Sequence, residues 1–151
     1  MNLSPHFTFD ELTRTGQTAL QAVNRQEAQA CMPALTALAT TILEPIRTKF
    51  GAVRINSAFR GPAVNSAVGG SKTSQHMSGQ AADIVVPGHR LEDVFAWIVK
   101  ESGIPFGQAI LEGPGGTVSW IHISLGEPWR AKDRSRQALT WDGKTYAAWK
   151  G

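Results

Sequence analysis

Two histidines and an aspartate stand where a fold could bring them together. His76 and Asp83 lie seven residues apart in Ser74-Gln75-His76-Met77-Ser78-Gly79-Gln80-Ala81-Ala82-Asp83, and His122 lies in Trp120-Ile121-His122-Ile123-Ser124. Two imidazoles and one carboxylate suit an open zinc site, in which three protein ligands leave a fourth position for water. Gly79 and Ala81 are small where backbone must approach closely, and an Asp opening an apolar run is costly to bury without a cation. Taken singly, a histidine is more often packed or solvated than a ligand, and an Asp at a strand start is often a cap. It is the joint placement that points to a metal. His6 and His89 have no carboxylates at a suggestive spacing.

The elements around these residues alternate between two periods. Thr8 or Asp10 caps a short helix that includes Glu11 and Leu12. From Asn24, the residues Cys31, Leu35, Leu38, Ala39, Ile42, Leu43, Ile46 and Phe50 recur at three- and four-residue steps, predicting one amphipathic helix. Asn24 is its candidate cap with Glu27 in the capping-box position, Pro33 delays or kinks its start, and Gly51 ends it. Val53–Phe59 alternates as a strand, Pro62 begins a short helix through Val68, and Gly69–Ser74 is a loop leading into the motif. Ala82–Val86 is a strand stopped by Pro87-Gly88, and Leu91, Val94, Phe95, Ile98 and Val99 mark a helix. Phe106–Glu112 and Thr117–Ser124 flank Gly113-Pro114-Gly115-Gly116 as a hairpin.

These elements predict an α+β fold in a single domain: a central antiparallel sheet with helices packed on it and the metal site at strand and loop ends. Trp129, Trp141, Tyr146 and Trp149 follow in a basic and then aromatic tail; the three tryptophans are expected to cover the core or to line the cleft, core packing being the first expectation.

Composition bounds the function. With 151 residues, 42% hydrophobic and 18% charged, the chain is large enough to bury a core unaided. The lone Cys31 forms no internal disulfide and reads as a small buried residue. The first residues lack a signal-peptide pattern and no apolar run reaches membrane-span length, so release by some other route is expected if the protein acts outside the cytoplasm. The formal charge of +3 favours an anionic partner such as bacterial cell wall. The cluster Arg130, Lys132, Arg134 and Arg136 reads either as a solvated turn or as a polyanion contact; nucleic acid is not the expected partner.

The pattern Ser74-x-His76-x-x-Gly79-x-Ala81-x-Asp83, followed by Trp120-x-His122, resembles the zinc peptidases of the M15 family, the D-alanyl-D-alanine carboxypeptidase and phage endolysin group, and most of all its compact phage or prophage branch. The similarity runs from Phe7 and Glu11 through Leu43-Glu44-Pro45-Ile46-Arg47 and Ser57-Ala58-Phe59-Arg60 to Ser124. The resemblance implies that His76, Asp83 and His122 ligate zinc, that Arg60 stabilises a developing oxyanion or holds a carboxylate, and that Ser74 lines the site. It implies cleavage of peptidoglycan stem peptides as a carboxypeptidase or endopeptidase, by a monomer released to the wall as a phage endolysin is. A binding or phage structural module that keeps the fold and the zinc is the alternative.

One position departs from the family. Many relatives carry an acidic general base three residues before the last histidine, where this chain has Ser119, whose hydroxyl cannot serve as a base at neutral pH. Glu112 is the expected substitute. Paired opposite Val118 it would lie about 13 Å from His122, too far to act; facing Trp120 it would fall diagonally within about 7 Å. Glu92, Asp93 and Glu127 have less geometric reason.

Overall fold

The structure, a computed structural model, describes residues 1–151 with the exception of Gly116. A small hairpin, β1 (Asn2–Ser4) with β2 (Phe7–Thr8), leads into helix α1 (Phe9–Thr13), where Thr8 Oγ1 caps the helix by accepting from Glu11 N at 3.1 Å. Of the two candidate caps, the chain uses Thr8.

The long amphipathic helix expected from Asn24 to Phe50 is instead broken into α2 (Gln21–Ala28), a single 3-10 turn, and a run of α3 (Met32–Ala37), a π-helical stretch (Leu38–Leu43) and α4 (Glu44–Phe50). Pro33 sits in the first turn of α3, where a missing N–H costs nothing. Pro45 has no N–H for the carbonyl four residues earlier, and the turns before it widen. Gly51, at φ 91°, ends the run as expected.

Asn24 is not the cap. It lies inside α2 and is fully buried, its Nδ2 donating to the carbonyls of Thr13 (2.7 Å) and Phe59 (3.2 Å) and its Oδ1 accepting from Gly61 N (2.8 Å). One amide thus ties α1, α2 and the backbone on both sides of Arg60 together. Glu27 makes no capping box either; α2 starts too early for one.

The remaining elements are β3 (Arg54–Ser57), α5 (Pro62–Ala67), β4 (Ala81–Val85), α6 (Leu91–Lys100), β5 (Phe106–Glu112), β6 (Trp120–Leu125), β7 (Gln137–Trp141) and β8 (Tyr146–Ala148). They form a six-stranded sheet in the order β3-β4-β6-β5-β7-β8. The sheet is mixed rather than antiparallel, because β7 joins β5 in parallel, Gln108 opposite Gln137 through Glu112 opposite Trp141.

Side chains alternate across the central strands, as a pleat requires. Ala82 and Ile84 of β4, Ile121, Ile123 and Leu125 of β6, and Ala109 and Leu111 of β5 enter the core with Leu35, Leu38, Ile42 and Ile46 of the broken helix and Val94, Phe95 and Ile98 of α6. The opposite face carries Asp83, His122, Trp120, Ile110 and Glu112. Removing Asn24 leaves the Phe59 carbonyl and the Gly61 N–H unpaired in the interior, and the Thr13 carbonyl with only the Gln21 amide. Asn24→Ala is expected to lower stability by about 3 kcal/mol, read as a lower urea midpoint with an unchanged slope; a shift under about 0.5 kcal/mol contradicts this bridging role.

Candidate active site

Two cross-strand rows on the open face of the sheet build the site. In the first, Asp83 of β4 stands opposite His122 of β6, which stands opposite Ile110 of β5. In the second, Trp120, Glu112, Trp141 and Tyr146 succeed one another across β6, β5, β7 and β8. His76 arrives from outside the sheet on the 3-10 turn Gln75–Ser78, which Ser74 caps by accepting from His76 N at 3.2 Å and Gly79 closes at φ 72°. A Cβ on Gly79 would lie 3.0 Å from Cys31 Cβ and 3.1 Å from Leu35 Cγ, so the close approach read from the sequence is real.

The three donors converge. Asp83 Oδ1 lies 3.0 Å from His122 Nδ1 and 3.3 Å from His76 Nε2, and one potential ligand atom from each residue falls within 4.8 Å of the other two. His76 Nδ1 is 2.7 Å from the Ala58 carbonyl; a carbonyl only accepts, so Nδ1 carries a proton and Nε2 is the atom turned towards Asp83 and available to a metal. A backbone partner of this kind fixes ring and tautomer in histidine metal sites. Zinc–ligand bonds near 2.1 Å in a tetrahedron set ligand atoms about 3.4 Å apart, close to what is found here. The donor set and its spacing fit zinc.

Electrostatics separate the two carboxyls. Burial pushes Asp83 up, but hydrogen bonds and charge from His122 and His76 outweigh it and hold the carboxyl well below its usual range. Glu112, its side chain only 13% exposed, goes the other way: burial, reinforced by the Asp83 charge, raises it despite attraction to His122 and His76.

All six residues singled out from the sequence, His76, Asp83, His122, Glu112, Arg60 and Ser74, line one cavity of about 520 Å³. Glu112 faces Trp120, the second of the two registers considered, and its Oε1 lies 3.8 Å from His122 Nδ1. Arg60 donates its backbone N–H to the His76 carbonyl (3.0 Å) and Nη2 to Ser74 Oγ (3.3 Å), while its Nε is buried and has no acceptor among the described residues. Ser74 therefore both caps the His76 turn and steers Arg60. Ser119 is exposed, its hydroxyl bonded to the Thr117 carbonyl; neither it nor Glu92, Asp93 or Glu127 lines the cavity.

One wall of the cavity was foreshadowed in the sequence only by the cleft reading of Trp141. Gln108 of β5, with Arg130, Arg134, Trp141 and Tyr146 from the chain beyond β6, completes the cavity. Of the tail aromatics only Trp149 follows the core-packing expectation, packing on Phe95 at 5.2 Å.

A sheet face presenting two imidazoles, an ionised aspartate and a separately buried glutamate within one cavity is the setting of a metallopeptidase. The profile of the Peptidase M15 family matches residues 5–124 of the 151, and the chain belongs to that family, whose peptidases are zinc-dependent. No curated protein matches it. Among the described residues no helix is long and apolar enough to cross a membrane.

Because the Glu112 carboxyl sits above its ordinary range in the folded protein, ionising it costs stability at neutral pH, and that cost vanishes as pH falls through the folded and then the unfolded value. In chelator, Glu112→Gln is expected to unfold at higher urea than the wild type at pH 7, the two converging below about pH 4. A variant less stable than wild type at pH 7 contradicts this.

Proposed function

We propose that this chain is a zinc-dependent peptidase that hydrolyses peptidoglycan stem peptides at bonds involving D-amino acids, acting on the wall in the manner of a phage endolysin. The observation that carries the reading is the Glu112 carboxylate, 3.8 Å from the His122 ring and in one cavity with the three metal-type donors. The chain thus offers a base where the more usual acidic position holds Ser119, which removes the main reason to regard it as a non-catalytic wall-binding or phage structural module. The net positive charge of +3 suits an anionic wall, and every group named comes from one chain, as a monomeric enzyme requires.

His76 through Nε2, Asp83 through a carboxylate oxygen and His122 through Nδ1 would hold the zinc. The chemistry supplied by zinc bound there is polarisation of the scissile carbonyl and acidification of water. Glu112 takes the proton of the attacking water and returns it to the leaving amine, and its burial keeps the carboxyl basic enough for both steps. Arg60, permanently charged and with Nε free, donates to the oxyanion as the carbonyl becomes tetrahedral or to a substrate carboxylate beside it. Ser74 and the Ala58 carbonyl hold Arg60 and His76 in place for this.

The test separates ligands from base. His76→Ala, Asp83→Ala and His122→Ala are each expected to lose stoichiometric zinc and all hydrolysis. Glu112→Gln keeps about one zinc per chain while release of new amino termini from peptidoglycan falls by about 10²–10⁴-fold. Hydrolysis that survives chelator, or a Glu112→Gln enzyme within tenfold of wild type, overturns the assignment.

A further inference from the structure

The chain beyond residue 124, outside the span that matches the family, turns back over the site and adds a basic and aromatic wall. The four basic residues between Arg130 and Arg136 do not behave alike. Arg136 is consumed by the fold: its guanidinium lies 4.5 Å from the Phe106 ring centroid and donates to the carbonyls of Ile104 and Val99. Lys132 does not reach the cavity, whereas Arg130 and Arg134 line it.

Arg130 is a built feature. Its stem crosses Gly107, where a Cβ would lie 2.8 Å from Arg130 Cδ and 2.4 Å from the Leu125 carbonyl oxygen. Arg130 Nε donates to the Arg134 carbonyl and Nη2 donates to Gln137 Oε1 at 3.2 Å, an oxygen that also accepts from Gln108 Nε2 at 3.1 Å. Among the described residues Nη1 has no acceptor, and no carboxylate comes within ion-pair distance of Arg130. A half-buried guanidinium held at two corners, without a counter-ion and beside a second guanidinium, is relieved by an anion that fits its free edge. The Gln108–Gln137 row stands two residues, about 7 Å, along β5 from the row of Ile110 and His122.

We propose that Arg130 is a specificity-determining residue, binding a carboxylate of the peptide substrate one or two residues away from the scissile bond. Arg134 adds charge at the rim, and Gln108 and Gln137 fix the orientation of the fork. The inference rests on the peptidase reading above for the identity of the ligand as a peptide, but its measurement is separate. Two sources supply such a carboxylate, the free C-terminus of the peptide and an acidic side chain within it.

The experiment uses the full-length zinc-loaded Glu112→Gln chain, to prevent turnover, with and without Arg130→Gln or Arg130→Lys. One stem-type peptide containing D-Ala and D-Glu is titrated in three forms, as the free acid, as the C-terminal amide and with D-Gln replacing D-Glu, following the fluorescence of Trp120 and Trp141. One of the two neutralised peptides is expected to bind about 10- to 100-fold more weakly than the free acid, and which one identifies the source. Arg130→Gln abolishes the difference and Arg130→Lys restores part of it. If all three forms bind equally or none binds, or if Arg130→Gln lowers stability yet keeps the preference, Arg130 is a strut for its loop and the proposal falls. Acid-selective binding through Arg130 without hydrolysis by the wild-type enzyme overturns the peptidase reading alone; hydrolysis with the same KM for all three forms overturns Arg130 alone.

Discussion

The Asp83 carboxylate sits in an interior strand, its side chain 17% exposed, and a buried charge of this kind is tolerated only where partners face it. Two imidazoles do so, at 3.0 and 3.3 Å, and satisfying both of them constrains much of the structure. His122 must lie directly opposite on β6, which fixes the β4–β6 register. His76 must come in from a loop, which requires the tight turn at Gly79, the Ser74 cap and the Ala58 carbonyl behind the ring. Since β4 and β6 alternate strictly, placing Asp83 and His122 on the open face sends Ala82, Ile84, Ile121 and Ile123 into the core.

The same pleat explains which parts of the site were legible in the sequence. His76, Asp83 and His122 could be picked out because each stands beside a Gly-rich turn or inside an apolar strand, where a polar residue is conspicuous. Glu112 could be named but not placed: a turn that allowed Val118 or Trp120 opposite it left the decision to hairpin geometry, and the chain takes Trp120, with Ser119 N bonded to the Glu112 carbonyl at 2.8 Å. Asn24 was misread because a helix-start signal and a buried bridging amide use the same residue type. Its partners, Phe59 and Gly61, lie 35 and 37 residues away, beyond any local pattern.

The tail was the least legible part. A parallel partner for β5 arriving after β6 is a long-range choice, and Gln137–Trp141 alone is too short to announce it. Its consequence for the site is large, because β7 and β8 set Trp141 and Tyr146 beside Glu112 and help remove that carboxyl from water. The division of labour follows: helices and the inner sheet face supply the packing, the open face of β4, β5 and β6 together with the His76 turn the metal-type donors and the base, and the returning tail the wall against which a substrate would lie.

The central claim is that three donors hold one zinc with a fourth position open towards Glu112. Diffraction at the zinc absorption edge from crystals grown with one equivalent of zinc tests it most directly. The expected map has a single anomalous peak about 2.0–2.2 Å from His76 Nε2, an Asp83 oxygen and His122 Nδ1, with the Glu112 carboxylate beyond bonding distance but within reach of a water on the metal. Zinc settled elsewhere, such as at His6 and Glu44, or bonded directly to Glu112 so that no position stays open, contradicts the account.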